Sequence, residues 1–341
     1  MNKQIKKLTY LFLTLFSLPL FASAHVKWFV DADDALKPEH LNEKLPTYLA
    51  VWGVISIIII LCGILLEAYL PKMKQSTLYT LNSHKHKAAS LFSLVVGVYL
   101  LISSFSGFLF SPDIQNINDL DYFMIFMQAV IGLSFLVGAS VRTGSIALIS
   151  LWLLVFVYAG VSEALENIWV LGAGAFTAIY GREYFKLSKG KVFLNKCFSQ
   201  YEDYALPVLR FIVGFDLLFL GVSEKLLRPE LGMSFLESHH WNFMQNIGLT
   251  WFSDYLFVIS AGVVESLFGI IFMLGIVTRL NASVLLIFFS IPPFFMGLEE
   301  LVGHLPHLTV LILFIIFGSG NKLKVIKPNA SHSYHDPDRI D

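Results

Sequence analysis

Six charged residues stand inside long apolar runs of this sequence and are the first candidates for chemistry: Asp216, Glu224, Lys225, Glu265, Glu299 and Glu300. A charge in hydrocarbon is costly unless it faces protein, a water-filled cavity, a partner charge or a bound ion. Asp216 and Glu265 fall near the middles of two such runs. Glu224 follows Asp216 by eight residues, about two helical turns and so roughly on the same face. Lys225 is placed to pair with a carboxylate on a neighbouring helix. A set of this kind can bind a polar ligand or relay protons, and it can equally be a protonated or paired structural feature.

Histidines give a second signal. His239, His240, His304, His307 and His25 map to the non-cytoplasmic side in the topology set out below, with Glu163 and Glu300 at the same surface. His304 and His307 are three residues apart and share a helical face just after Glu299 and Glu300. Imidazole suits copper, zinc and iron, and a carboxylate can complete such a site. A chain cut before His25 would offer its terminal amine and that imidazole as two arms of a copper chelate. The alternative is that these histidines are loop residues at a membrane surface. HExxH, CxxC, GxxxxGKS and GxSxG are all missing, and with them the usual metalloprotease, thiol, P-loop and hydrolase signatures. Cys62 and Cys197 have no disulfide or metal spacing.

The elements that must position these residues are membrane spans. Of the 341 residues 56% are hydrophobic and 14% charged, against roughly 25% charged in a soluble domain. A net charge of −1 with no basic stripe or zinc-finger spacing gives no sign of a nucleic-acid partner. Residues 1–24 read as a signal peptide, with Lys3, Lys6 and Lys7 before an apolar run and Ala22-Ser23-Ala24 as a cleavage site; an uncleaved anchor is the alternative. An extracytoplasmic segment (25–47) follows, then a first span with a basic cytoplasmic loop (48–87), four spans (88–185), a second basic loop (186–204), four further spans (205–320) and a polar tail (321–341). Lys and Arg collect on the cytoplasmic side of short loops. Nine spans put the 72–87 loop, Arg142, the 182–196 loop, Arg279 and the tail on that one side, with Lys225 and Arg228 as exceptions. Pro292-Pro293 should break the eighth span, and Trp241, Phe243, Trp251 and Phe252 form an interfacial aromatic belt or a short amphipathic cover.

The chain also repeats itself. A shift of 137 residues carries Gly132 onto Gly269, Gly138 onto Gly275, Arg142 onto Arg279, Gly160 onto Gly297, Glu163 onto Glu300 and Gly181 onto Gly318. A second frame of 117 aligns Gly97 with Gly214, Leu100 with Leu217 and Pro112 with Pro229. Glycine, arginine and glutamate identities do not come from shared apolarity, and the repeat unit holds four spans. An even number returns each unit in the same orientation. The expected fold is all-α and polytopic: two parallel four-helix repeats about an axis near the membrane normal, plus one N-terminal transmembrane helix after a signal peptide.

The second repeat is where a family resemblance lies. Arg210-x3-Gly214, Leu218-x2-Gly221-x2-Glu224-Lys225-Leu226, Glu265-x3-Gly269 and Leu274-Gly275-x3-Arg279 resemble the DoxX-like family of four-helix bacterial membrane proteins, over residues 205–320 and more weakly 88–181. The resemblance implies a four-helix unit of a bacterial inner membrane and brings quinone-linked redox chemistry into consideration, while the charge asymmetry places the mature N-terminus in the periplasm and the C-terminus in the cytoplasm. The fused duplication, the added first span and the histidine-rich outer loops depart from the family pattern. The leading expectation is a membrane-embedded binding or quinone-linked redox protein with a periplasm-facing site. In it Glu224, Glu265, Glu300 and His304 contact the ligand, with Lys225 beside them, His307 and Glu163 at the rim and Asp216 deeper as a proton carrier. Its cofactor would be copper, iron or zinc, or a membrane quinone, and its partners the bilayer and a membrane redox protein. A transporter of a metal ion or small solute, and a non-catalytic scaffold subunit, are the alternatives.

Overall fold

The computed structural model describes residues 45–70, 75–112, 114, 119–187, 192–291, 293 and 298–326. The signal peptide, His25 and its segment, Pro292 and most of the polar tail lie outside the described residues, and of Glu299 only the backbone is described.

Apolar composition at helical length produces an all-α chain that crosses a membrane many times. Among the described residues seven helices are long and apolar enough to span. They are α1 (Leu45–Tyr69), α3 (Lys85–Phe105), α4 (Asp119–Val137), α5 (Val141–Tyr158), α9 (Glu202–Leu220) with its continuation Gly221–Leu226, α12 (Asp254–Leu274) and α14 (Leu298–Phe317). Two of the nine expected spans are shorter, α7 (Trp169–Tyr180) with 12 residues and α13 (Thr278–Ser290) with 13. Small helices complete the order: α2 (Gln75–Ser83), α6 (Val161–Glu166), α8 (Val192–Ser199), α10 (Pro229–His239) and α11 (Phe243–Asn246).

The perimeter is apolar. Val51, Val54, Ile57 and Leu61 of α1, Phe123, Phe126 and Leu133 of α4, and Leu153 and Val157 of α5 are all exposed. Hydrocarbon is the solvent for such a surface, and helices suit it because each satisfies its own backbone. Inside, α3 packs on α4 and α9 on α12, α5 on α7 and α13 on α14, α7 on α9 and α14 on α3, while α1 lies against α12.

Glycines set a close approach in each of two helix pairs. A Cβ on Gly97 would lie 2.8 Å from the Gly132 carbonyl oxygen, and one on Gly214 would lie 2.7 Å from that of Gly269. Backbones meet this closely only where neither residue has a side chain, the usual device for joining helices without help from water. At one end of the bundle two arginines tie helices together. Arg142 donates from Nε to the Ala178 carbonyl at 3.0 Å and from Nη2 to Ile179 at 2.9 Å. Arg279 donates from Nε to Ile315 at 3.1 Å and from Nη2 to Ile316 at 3.2 Å. Both cap carbonyls that the last turn of a helix leaves without a donor.

One expectation changes materially. The last helix begins at Leu298, not near Leu305, and takes Pro306 into its interior. His304 and His307 therefore belong to a helix and are buried, at 1% and 5% exposure, rather than sitting in an outer loop. The connection between α9 and α12 folds into α10 and α11 over its own apolar cluster of Leu231, Phe235, Leu236, Met244, Phe252, Phe257 and Val258.

Candidate functional site: a buried carboxylate and imidazole cluster

Helix α9 carries the first member. Asp216 is fully buried, and its Oδ2 lies 3.0 Å from Nε2 of His307 on α14. The His307 ring tilts against Trp169 at the start of α7, with centroids 5.8 Å apart. Three helices thus meet at one polar contact inside an apolar interior, where an aspartate and imidazole hydrogen bond is strong because little solvent screens it. His307, expected at the rim, lies as deep as Asp216.

Beyond Asp216 the helix changes its winding. Gly221–Leu226 forms a π turn, with the Leu227 N–H donating to the Val222 carbonyl at 2.9 Å. In an unbroken α-helix, Glu224 would sit about 80° around the axis from Asp216. The wider turn swings it back toward that face, and π turns of this kind favour functional positions. The segment packs tightly because a Cβ on Gly221 would lie 2.7 Å from the Gly262 carbonyl oxygen of α12. Lys225 is brought down beside α12, and its Nζ lies 2.7 Å from Oε2 of Glu265. Both side chains are nearly buried, at 2% and 10% exposure. Glu224 is buried next to them.

The two pairs are not isolated from each other. Asp216 and His307 lie close enough for their charges to act on Glu265, and Glu166 acts in the same way on Asp216. His304 in turn feels His307 and Lys225. His304 stands 3.5 Å from Oε1 of Glu300 through Nδ1, which also lies 2.9 Å from the Glu300 backbone carbonyl. Asp216 with His307, Lys225 with Glu265, and Glu300 with His304 thus form neighbouring polar contacts in one buried region, with Glu166 beside it. Two carboxylate oxygens in this region, Glu265 Oε1 and Glu300 Oε2, are buried with no hydrogen-bond partner among the described residues, while Asp216 also accepts from the Trp169 backbone. Buried acceptors of this kind are costly and need an explanation.

The expected site residues divide accordingly. Asp216, Glu224, Lys225, Glu265, Glu300, His304 and His307 gather in or beside this region. Glu163 does not: it is half-exposed, its Oε2 near Gly160, and one turn later Glu166 turns inward instead. The cause is the break before α6, where Gly160 takes φ +114° and resets which face of the following turn points into the bundle. His239 stacks on Phe235 at 4.4 Å, with His240 exposed beside it at the end of α10, both apart from the cluster. Among the described residues no three His, Cys, Asp or Glu side chains come together closely enough to hold a metal ion.

Sequence reasoning passed over Glu166, Arg228 and Trp169 as members. Glu166 is buried, lies 3.5 Å from Arg228 Nη2 and accepts a hydrogen bond from the Ser162 hydroxyl at 3.1 Å. Arg228 was visible as a cation on the wrong side of the topology, and that exception was the available signal.

Compared with known proteins, the chain matches no family model, no curated sequence and no solved structure.

Proposed function

We propose that this polytopic membrane protein is a quinone-linked redox or binding protein of the DoxX-like kind, built from two parallel four-helix repeats and lying in the bacterial inner membrane, with the cluster opening toward the periplasm. The observation that carries the reading is the buried Asp216 and His307 pair, set beside carboxylate oxygens of Glu265 and Glu300 that have no hydrogen-bond donor among the described residues. Support for the repeats comes from the matching glycine approaches at Gly97 with Gly132 and Gly214 with Gly269, and from the matching arginine caps of Arg142 and Arg279.

A quinone, when bound, supplies two-electron and two-proton chemistry. The part of this chain's own residues is proton handling. His307 offers a proton at Nε2 that Asp216 holds in place, and Lys225 stabilises Glu265 as a carboxylate able to take one up. Orphaned acceptors beside an imidazole fit a ligand that exchanges protons.

Equilibrium binding of a short-chain ubiquinone analogue to the purified full chain tests the reading. The wild type should bind, and Asp216→Asn and His307→Gln should each weaken binding about tenfold, the effect of one unsatisfied buried polar group. No binding by the wild type, or equal binding by all three, defeats it. The closed Lys225 and Glu265 pair favours a second reading, a scaffold subunit whose charges join helices. In that case the neutral variants would alter assembly with a partner and leave every ligand measurement unchanged.

A further inference from the structure

The two arginine caps differ in what faces them. Beside Arg279 the chain supplies its own anion: Glu67, near the end of α1, accepts a hydrogen bond from the Val277 N–H through Oε2 at 2.9 Å and pairs with Lys324 through Oε1 at 3.0 Å. The same carboxylate acts electrostatically on Arg279 and Arg210. Val277, the N-cap of α13, has a left-handed backbone, and its neighbours Gly275 and Gly318 have positive φ as well.

At positions 137 residues earlier the same backbone recurs. Ser140, the left-handed N-cap of α5, supplies no side-chain cap, and Gly138 and Gly181 have φ of +69° and +61°. Here no α1 carboxylate arrives, and a cavity of about 330 Å³ stands open. It is lined by Ser140, Thr143, Asn195 and four cations, Arg142, Arg182, Lys186 and Lys196. Its two acids, Glu183 and Glu202, act on Arg142 and are each 3.6 Å from a ring nitrogen of His86, so two acids face the four lining cations. Arg182 is 8% exposed. Its Nε and Nη1 are engaged by the carbonyls of Tyr184 and Phe135, with a second bond from Nη1 to Leu136 at 3.1 Å, and its Nη2 has no partner among the described residues. Burial lowers the pKa of this guanidinium from its usual value, a cost that a neighbouring anion would relieve.

From this internal comparison we infer that the cavity at the start of α5 binds a phosphate-bearing anion, in the place that Glu67 fills at the start of α13. Helix N-termini with convergent cations are anion sites on general grounds. An acidic phospholipid headgroup and free phosphate share that chemistry. Position favours the lipid, because the exposed Tyr184, Phe185 and Leu187 adjoin the cavity and could meet acyl chains, and basic pockets between spanning helices suit such headgroups.

Native mass spectrometry of the full chain in detergent, with phosphatidylglycerol or phosphatidylcholine added in equal amounts, decides the matter. Phosphatidylglycerol should be retained about tenfold better, and Lys186→Gln with Lys196→Gln should abolish that preference, each cation near a headgroup being worth roughly 1 kcal/mol. Both lysines are exposed, so the double variant should fold; an unchanged unfolding midpoint without lipid checks this. Asn195→Asp places a carboxylate against Arg142 and should displace the lipid as Glu67 does on the other side. Retention of inorganic phosphate in place of lipid, lost in the same variants, assigns the site to the free anion. Equal retention of both lipids with no phosphate bound, or a preference that survives both variants, overturns the inference.

Discussion

Gln128 on α4 and Glu265 on α12 stand 137 residues apart, at matching places in two glycine-joined helix pairs, and they solve the same packing problem in different ways. Gln128 is fully buried and its bonds are spent. Its Oε1 accepts from the Phe110 N–H at 2.8 Å, and its Nε2 donates to the Leu100 carbonyl at 3.3 Å, the Ser104 hydroxyl at 3.0 Å and the Phe108 carbonyl at 3.2 Å. The end of α3 is tied down by a neutral amide. Tyr99, which the 117 frame sets opposite Asp216, closes on the Phe110 carbonyl. In the other pair the end of α9 is tied down by the Lys225 and Glu265 ions, next to an aspartate and a histidine. A neutral network does this structural work at lower desolvation cost. The charges of α9, α12 and α14 therefore call for a reason beyond helix association, and proton exchange with a ligand supplies one.

The comparison breaks most sharply at the ion pair. Glu265→Gln removes the carboxylate charge 2.7 Å from the buried Lys225 ammonium and should cost about 3–5 kcal/mol in thermal or denaturant unfolding. Lys225→Met should cost a similar amount, and the double variant should recover most of the loss. If both single variants unfold like the wild type, the pair is solvated and the contrast with Gln128 disappears. In the neutral half, Gln128→Leu strands the Phe110 N–H and removes the donor to the Phe108 carbonyl, and should cost about 2–3 kcal/mol, with no effect on binding of the quinone analogue. Loss of that binding in Gln128→Leu would place the site in the wrong half.

The glycine approaches sharpen the comparison by asking whether the halves share a frame. Gly97→Ala and Gly214→Ala each drive a Cβ into backbone, at 2.8 and 2.7 Å from the facing carbonyl oxygens. Each should cost about 1–2 kcal/mol, the usual range for overpacking, and the two costs should agree. Very different costs would show that the two helix pairs do not carry equivalent loads.

How much of this was readable beforehand follows from what each residue costs. Buried charges in apolar runs announce themselves, so Asp216, Glu265 and Lys225 were legible, as were the long helices and the glycine and arginine register. Gln128 and Tyr99 were not, because neutral polar residues are common in spans and carry no large penalty to explain. The depth of His307 was hidden by its neighbours: Glu299 and Glu300 just before it mark an outer surface when read from apolar content alone, although the helix starts at Leu298. The π turn was hidden because spacing arguments assume 3.6 residues per turn, and it is this turn that sets where Glu224 and Lys225 face. The division of labour between Glu163 and Glu166 depended on one left-handed glycine, whose backbone no pattern of hydrophobicity reveals.

That last division gives the smallest effect and the most selective test. Glu166 is buried between Ser162 and the Arg228 guanidinium, whose side chain is 35% exposed, and its charge reaches Asp216. Glu163 only skirts Gly160 at the half-exposed edge of the same turn. Glu163→Gln should therefore stay within about 0.5 kcal/mol of the wild type in stability, as surface substitutions do, with ligand binding unchanged. Glu166→Gln keeps the shape but removes a charge beside Asp216, and a partly exposed partner limits its stability cost to about 1 kcal/mol. Its main effect should fall on quinone-analogue binding, whose pH profile should differ from that of the wild type, whereas the Glu163→Gln profile should not. If Glu163→Gln moves that profile and Glu166→Gln leaves it in place, the inward face of this turn has been assigned to the wrong residue.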